Sequence, residues 1–315
     1  MKKDFYLRGG LHTLDLDLGG TFVRMQSPFL PADLLSENLR PPDTRLKNFA
    51  ARFRRSPDVL IDVSVAKKLP PLPATKPFST FHPDDGKKNW SLYRLKAGYV
   101  FYCPLEGKRQ VLYISRDLSR VRAVMQAKRS GGAVWDPLDL VYDFLQILLI
   151  FRLALRGEGL LLHACAVRDI DGSGYLFAGK SGAGKSTTAT LWHENSRARI
   201  LNDDRVLVLK RGRGYVLFNP PWHGEVGESL PCFTRAVRLK KIFFIGRGKG
   251  NACRELDFRQ AFRRLYPCIF PPYWDGRALA RALALGEELL GGIPAYDLRF
   301  AKNAKVIEFI RARGR

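Results

Sequence analysis

The chain is short of cysteine, histidine and acid, and it has no apolar run long enough to cross a membrane. Its five cysteines, Cys103, Cys165, Cys232, Cys253 and Cys268, are odd in number and widely spaced. No C-x-x-C pair occurs, which argues against a zinc site or a disulfide framework and leaves reduced, mostly buried thiols as the expectation. The most apolar stretch, residues 140–155, is interrupted by Asp143, Gln146 and Arg152. It is too short and too polar to span a bilayer and reads as a buried helix. Met1-Lys2-Lys3-Asp4 leads into a strand-like segment with no apolar signal core, so a cytoplasmic location and no membrane partner are expected. Internal repeats and low-complexity segments are absent too. A hydrophobic fraction of 46% belongs to a folded chain, and 315 residues suffice for two domains or one large one.

The shortage of acid is the largest compositional bias. Thirty Asp and Glu face 53 Lys and Arg, a formal charge of +23. The excess is not held in a tail, since residues 1–160 carry 26 basic against 16 acidic side chains and residues 161–315 carry 27 against 14. Such a field favours acidic partners: nucleic acid, anionic lipid or an acidic peptide. No long basic run is interleaved with aromatics as single-strand binders require, so nucleic acid is disfavoured, although the charge does not exclude it.

What the chain does contain is a complete G-x-x-x-x-G-K-[ST] segment, Gly179-Lys180-Ser181-Gly182-Ala183-Gly184-Lys185-Ser186. The apolar run 175–178 precedes it and a helix-compatible stretch from Thr187 to Trp192 follows. That is the strand–loop–helix context the motif needs. Glycines let successive backbone N–H groups turn toward one anion, and the helix N-terminus adds partial positive charge. Lys185 would reach the β- and γ-phosphates, and the Ser186 hydroxyl would sit on Mg²⁺. The expected ligand is ATP or a similar polyphosphate.

Around this loop the sequence divides. Residues 1–134 are β-rich and proline-punctuated, with strands expected at 14–23, 59–65, 90–102 and 110–115. A boundary is expected at Ser130-Gly131-Gly132. Asp136-Pro137 then opens a helix to about Arg156, with Pro137 just inside its start. Strands at 160–167 and 175–178, joined by the turn-rich 168–174, form a hairpin that feeds the phosphate loop. RecA-like and Ras-like cores enter that loop from a crossover or the chain start instead. Further strands are expected at 215–218, 241–245 and 295–300, and helices at 257–265, 278–290 and 303–313.

Two acids, Asp203 and Asp204, lie in a strand expected at 199–209. A helix from Gly184 to Glu194 rises roughly 16 Å at 1.5 Å per residue. About five strand residues return some 17 Å and bring the acids level with the loop. On a strand the two would point to opposite faces, one more directly toward the nucleotide. They are candidates to complete the Mg²⁺ shell and to orient or deprotonate an acceptor hydroxyl. Glu225, after Pro220-Pro221-Trp222-His223-Gly224, is a candidate second Mg²⁺ contact. His163 lies in the apolar run 160–167. It reads equally as a hydrogen-bonded core histidine or as a site residue, because its strand pairs with the one entering the loop.

Taken in order, Leu161-Leu162-His163, the hairpin, Gly179 to Ser186 and Asp203-Asp204-Arg205-Val206 resemble the catalytic domain of HPr kinase/phosphorylase, within the phosphoenolpyruvate carboxykinase-like P-loop group. The resemblance covers roughly residues 158–226, is weak toward the C-terminus and is absent before about 135. It implies a site role for His163, phosphate and Mg²⁺ roles for Lys185 and Ser186, and Asp204 as base toward a seryl hydroxyl. The family's second Mg²⁺ ligand falls loosely on Glu225. Thr187 stands where HPr kinases usually carry glutamate, and the glutamate-arginine-glycine signature has no counterpart. The Pro-Pro-Trp-His-Gly-Glu stretch is similar instead to shorter HPr kinase-like proteins of peptide-modifying clusters. These include lasso-peptide kinases that phosphorylate a serine of a ribosomal precursor.

The expected fold is therefore α/β: a phosphoenolpyruvate carboxykinase-like P-loop kinase core at 135–315, of mixed sheet and helices, behind a β-rich region at 1–134 that serves substrate docking. The nucleotide site is residues 179–187, with catalytic roles for Asp204, His163 and Lys185 and metal ligation by Ser186, Asp203 and Glu225. The expected function is ATP- and Mg²⁺-dependent transfer to a serine of an acidic peptide or small protein, and an oligomer is compatible with it. A nucleotide switch, a nucleic-acid-associated ATPase and a free-serine kinase remain as alternatives.

Overall fold

Strand-forming residues dominate much of the chain, and in the computed structural model they assemble two large sheets in a mixed α/β protein. The structure describes residues 5–8, 10–29, 43–81, 86–105, 109–127, 135–224, 226 and 231–312. Two compact units, Met1–Leu148 and Leu149–Arg315, divide the chain inside a helix, whereas the sequence expectation set the boundary at 134/135.

The first unit is built on nine strands: β1 (Phe5–Arg8), β2 (Leu11–Asp17), β3 (Phe22–Ser27), β4 (Val59–Ala66), β5 (Phe78–Phe81), β6 (Lys88–Leu95), β7 (Gly98–Cys103), β8 (Gln110–Ser115) and β9 (Arg120–Gln126). They lie in the order β1-β2-β3-β4-β9-β8-β7-β6-β5. The single strands expected at 14–23 and 90–102 are each a hairpin. In the first, Gly19 and Gly20 take φ of +71° and +92°, and the Leu18 N–H donates to the Thr21 carbonyl, reversing the chain. In the second, Leu95 pairs with Gly98 across a two-residue turn. Opposite each other in β2 and β3, Asp15 and Arg24 form a buried pair with two 2.6 Å hydrogen bonds. A charge buried there is tolerable only because it is paired.

Asp136 caps the next helix by accepting from the Leu138 N–H at 2.9 Å, with Pro137 at its first position. The helix runs as α1 (Pro137–Leu140), a π-helical segment (Val141–Leu145) and α2 (Gln146–Arg156), ending where the sequence placed it.

In the second unit the strands are β10 (Gly159–Arg168), β11 (Gly174–Ala178), β12 (Arg199–Asn202), β13 (Arg205–Arg211), β14 (Gly214–Phe218), β15 (Val237–Arg247), β16 (Ala252–Glu255) and β17 (Ala295–Phe300). The helices packed with them include α3 (Lys185–Asn195), α4 (Phe258–Leu265), α5 (Gly276–Gly292) and, after the last strand, α6 (Lys305–Ala312). The expected hairpin is present, with Ala164 opposite Ala178 in antiparallel β10 and β11. On its other side β11 pairs parallel with β15, and β15 pairs parallel with β17. Pairings β10–β13, β13–β14 and β14–β15 close a ring with β11. These central strands are buried on both faces and so read as near-continuous apolar runs.

Helix α3 packs on β11 through Trp192, whose ring meets Tyr175 and Phe177 at 6.1 Å between centroids, while Phe177 stacks on Phe243 of β15 at 5.4 Å. Burying one such aromatic stabilises by about 2–3 kcal/mol. This packing holds the body of α3 against the strand that leads into the loop.

Candidate active site

Residues 179–184 connect β11 to α3, and every residue expected in the phosphate site lies in this strand–loop–helix unit. Gly182 and Gly184 take φ of +77° and +109°, the left-handed region that lets neighbouring N–H groups face one point. Gly184 caps α3 without a side-chain hydrogen bond. The first N–H groups of the helix, at Lys185, Ser186 and Thr187, are therefore those an anion would take. Lys185 lies buried over the loop and donates to the carbonyls of Gly179 at 2.9 Å and Lys180 at 3.2 Å. Ser186 is exposed beside it.

The acids differ from the expectation. Asp203 and Asp204 do not sit within one strand; they form a bend between β12 and β13. Asn202, 2% exposed, holds the bend: its side-chain oxygen accepts the N–H groups of Asp204 at 2.9 Å and Arg205 at 2.8 Å. Its amide nitrogen donates to Asn219 and to the Trp222 carbonyl. A short polar side chain that satisfies successive backbone N–H groups breaks a strand in this way.

The bend sends the two carboxylates to different work. Asp203 is 3% exposed and accepts the N–H of Gly224 at 2.9 Å and of Val226 at 3.1 Å. It anchors the loop after Pro220. Gly224 packs so closely that a Cβ there would come within 2.7 Å of an Asp203 carboxylate oxygen and 3.1 Å of the Asp204 Cβ. Asp204 is turned the other way. Its carboxylate meets His163 Nδ1 at 2.8 Å and Arg205 at 3.3 Å.

His163 lies opposite Arg205 in the β10–β13 ladder, one residue before the Ala164 that faces Ala178. It is thus beside the start of the phosphate loop. Burial raises the Asp204 carboxyl, but the His163 hydrogen bond and the charges of Arg205, His163 and Lys185 outweigh it and hold the group below its ordinary value. Burial pushes the Lys185 ammonium down, and Cys268, Asp204 and Cys165 offset part of that.

Some neighbours could not be read from local sequence. Ile269 bridges Leu162 of β10, and the Phe270 N–H donates to the Leu161 carbonyl at 2.9 Å. That contact sets the Phe270 ring edge-on to His163 and beneath the Arg205 guanidinium. It also brings Cys268 beside the loop, where burial raises its thiol while Lys185 and the Gly179 N–H pull it back. No motif marks either residue; a remote bridge places them.

Loop, lysine and hydroxyl fit a triphosphate with its Mg²⁺, an ion that needs only one or two protein ligands when phosphates supply the rest. Asp203 fits the metal less well, since both its oxygens are engaged by backbone N–H groups in a buried position. Among the described residues no group of three or more His, Cys, Asp or Glu could hold a metal ion alone. Glu225 lies outside the described residues. No helix of the described residues is long and apolar enough to cross a membrane.

A comparison with curated protein sequences finds no match. Residues 138–278 are similar to a family whose model is described as SynChlorMet cassette protein ScmC, a match that takes in the hairpin, the phosphate loop, the acid bend and the 268–270 bridge segment.

Proposed function

We propose that this chain is an ATP- and Mg²⁺-dependent kinase, with a phosphoenolpyruvate carboxykinase-like core, that phosphorylates a serine of a peptide or small protein. The observation that carries the reading is the His163–Asp204 pair, 2.8 Å apart, with His163 on the strand that flanks the one entering the glycine-rich loop with its buried lysine. Lys185 and the N–H groups of 182–187 bind and orient the phosphates. Asp204, held ionised at neutral pH by His163 and Arg205, accepts the proton of the acceptor hydroxyl. The seryl oxygen forms its bond to the γ-phosphorus as the bond to the β-bridging oxygen breaks, and ADP leaves. Mg²⁺, bound through Ser186, would neutralise charge on the β- and γ-oxygens. Asp203 holds the N–H groups of Gly224 and of Val226 against the site.

The excess of basic residues in both halves suits an acidic acceptor, and the β-rich first unit is the candidate docking surface. The family described as a cassette protein directs the search for the acceptor to neighbouring gene products, including ribosomal peptide precursors. The test is incubation with γ-labelled ATP, Mg²⁺ and such peptides. Label should reach a serine, and Asp204→Asn should lower the transfer by about 10²–10⁴-fold. Label found only in inorganic phosphate, with Asp204→Asn as active as the parent chain, would end the proposal.

A further inference from the structure

Beside the phosphate loop lies a cavity of about 550 Å³, walled by loop residues 179–183, by Ile245 and Pro267, and by four arginines, Arg247, Arg263, Arg264 and Arg299. It sits at the carboxyl ends of β11, β15 and β17, three neighbouring parallel strands, on the same edge as the loop that follows β11. The arginines converge from β15, α4 and β17. Arg264 is spent on Asp297, with two bonds of 2.8 and 3.0 Å, and Arg299 leans on the same carboxylate at 3.3 Å. Arg247, Arg263 and Lys180 have no ion pair among the described residues. Gathering that many cations around one hollow costs self-repulsion, which an anionic ligand would relieve.

The side of the loop matters. β11 has β10 on one flank and β15 on the other. His163 and Asp204 therefore lie on one side of the loop and the arginine cavity on the opposite side. In an in-line displacement the acceptor and the leaving group stand on opposite sides of the transferred phosphorus. With Asp204 on the acceptor side, the cavity falls on the leaving side. Apart from the Ser181 hydroxyl, the polar side chains that line it are donors, and no carboxylate or carboxamide is among them. Guanidinium donors that met a base edge would favour guanine, with its O6 and N7 acceptors, over adenine, whereas guanidinium planes stacked on the base face would not tell the two apart. Guanidinium planes stack on any base.

Resting on the kinase reading, we propose that this cavity seats the nucleoside end of the phosphate donor through guanidinium charge and stacking, and that it accepts purine and pyrimidine triphosphates alike. The test is equilibrium binding of ATP, GTP, CTP, UTP and inorganic tripolyphosphate to the full chain with Mg²⁺. The four nucleotides are expected to agree within about threefold, a spread of less than 1 kcal/mol. Arg263→Ala should weaken all four by about fivefold or more while tripolyphosphate changes less than about twofold, and Arg263→Lys, which keeps charge but loses the plane, should resemble it. Arg263 is exposed and unpaired, so an unchanged unfolding midpoint checks that the variant is intact. A preference of about twentyfold for one base, or nucleotide binding untouched by Arg263→Ala and Arg247→Ala, overturns the assignment. Lys185→Ala separates the two readings. If it leaves tripolyphosphate binding unchanged, the phosphate-loop reading itself fails; if it abolishes that binding while the arginine variants stay flat, only the nucleoside assignment falls.

Discussion

Asp203 and Asp204 are adjacent in sequence and nearly opposite in consequence, and replacing each with asparagine separates them. Asp203 is 3% exposed and its two oxygens accept two backbone N–H groups. Hydrogen bonds to a charged acceptor contribute about 1.5–3 kcal/mol each, and asparagine keeps one acceptor oxygen, so Asp203→Asn should cost roughly 2–3 kcal/mol. For a unit of this size that lowers the unfolding midpoint by roughly 4–12 °C. Asp204 is part-exposed and its partners are side chains, so Asp204→Asn should change stability by no more than about 1 kcal/mol. The same change should lower phosphoryl transfer by about 10²–10⁴-fold, as expected for loss of a general base. Thermal unfolding and γ-label transfer, measured side by side across a Mg²⁺ titration, read both effects. An anchor predicts that excess Mg²⁺ does not rescue Asp203→Asn. If the variant unfolds like the parent chain and regains activity as Mg²⁺ rises, Asp203 is a metal ligand and the anchoring argument is wrong.

Gly224→Ala should displace the acid bend, because the new Cβ would lie 2.7 Å from an Asp203 oxygen; the expected loss is roughly 1–3 kcal/mol in urea unfolding and about 10²-fold in transfer. Parent-like values in both would show that the loop yields freely. Arg311, on α6, is bonded to Asp169, itself 2% exposed, at 2.7 and 3.0 Å. Arg311→Ala strands that carboxylate and should cost roughly 3 kcal/mol, read as an earlier urea midpoint. In the first unit, hydrogen bonds from the Ser115 and Ser119 hydroxyls hold the Asp117 carboxyl at about 2, against 3.8 for the free group. A depressed folded value means the stabilisation is present above pH 3.8 and is lost as pH falls through about 2. Because Asp117 is exposed, solvent screening limits the effect to about 1 kcal/mol or less, and Asp117→Asn should flatten that part of the pH–stability curve.

Locally encoded features were legible. Asp136-Pro137 states a helix start through a side-chain cap and a fixed φ, and the helix begins there. The turn at 168–174 states a hairpin, and its strands pair as the apolar runs require. The two missed reversals failed for a related reason. At Gly19-Gly20 and at Lys96-Ala97, apolar residues continue on both sides of a two-residue turn, so an unbroken strand and a tight hairpin share one pattern. The acid bend was harder still. Asn202 breaks the strand because Asn219 and the Trp222 carbonyl hold its amide in place, and neither partner is near it in sequence.

The sequence by itself determined the glycine-rich turn between β11 and α3, since the left-handed glycines, the lysine and the hydroxyl lie within eight consecutive residues and need only the strand before them and the helix after. Its charge and its scarcity of cysteine likewise follow from composition alone. The tertiary structure decided which acid faces the loop, where the histidine lies and which arginines converge beside it. Those outcomes depend on strand register, on a bend held by a distant carbonyl and on the Leu162–Ile269 bridge. Side-chain direction at such points is set by partners far along the chain, and no local pattern of residues carries that information.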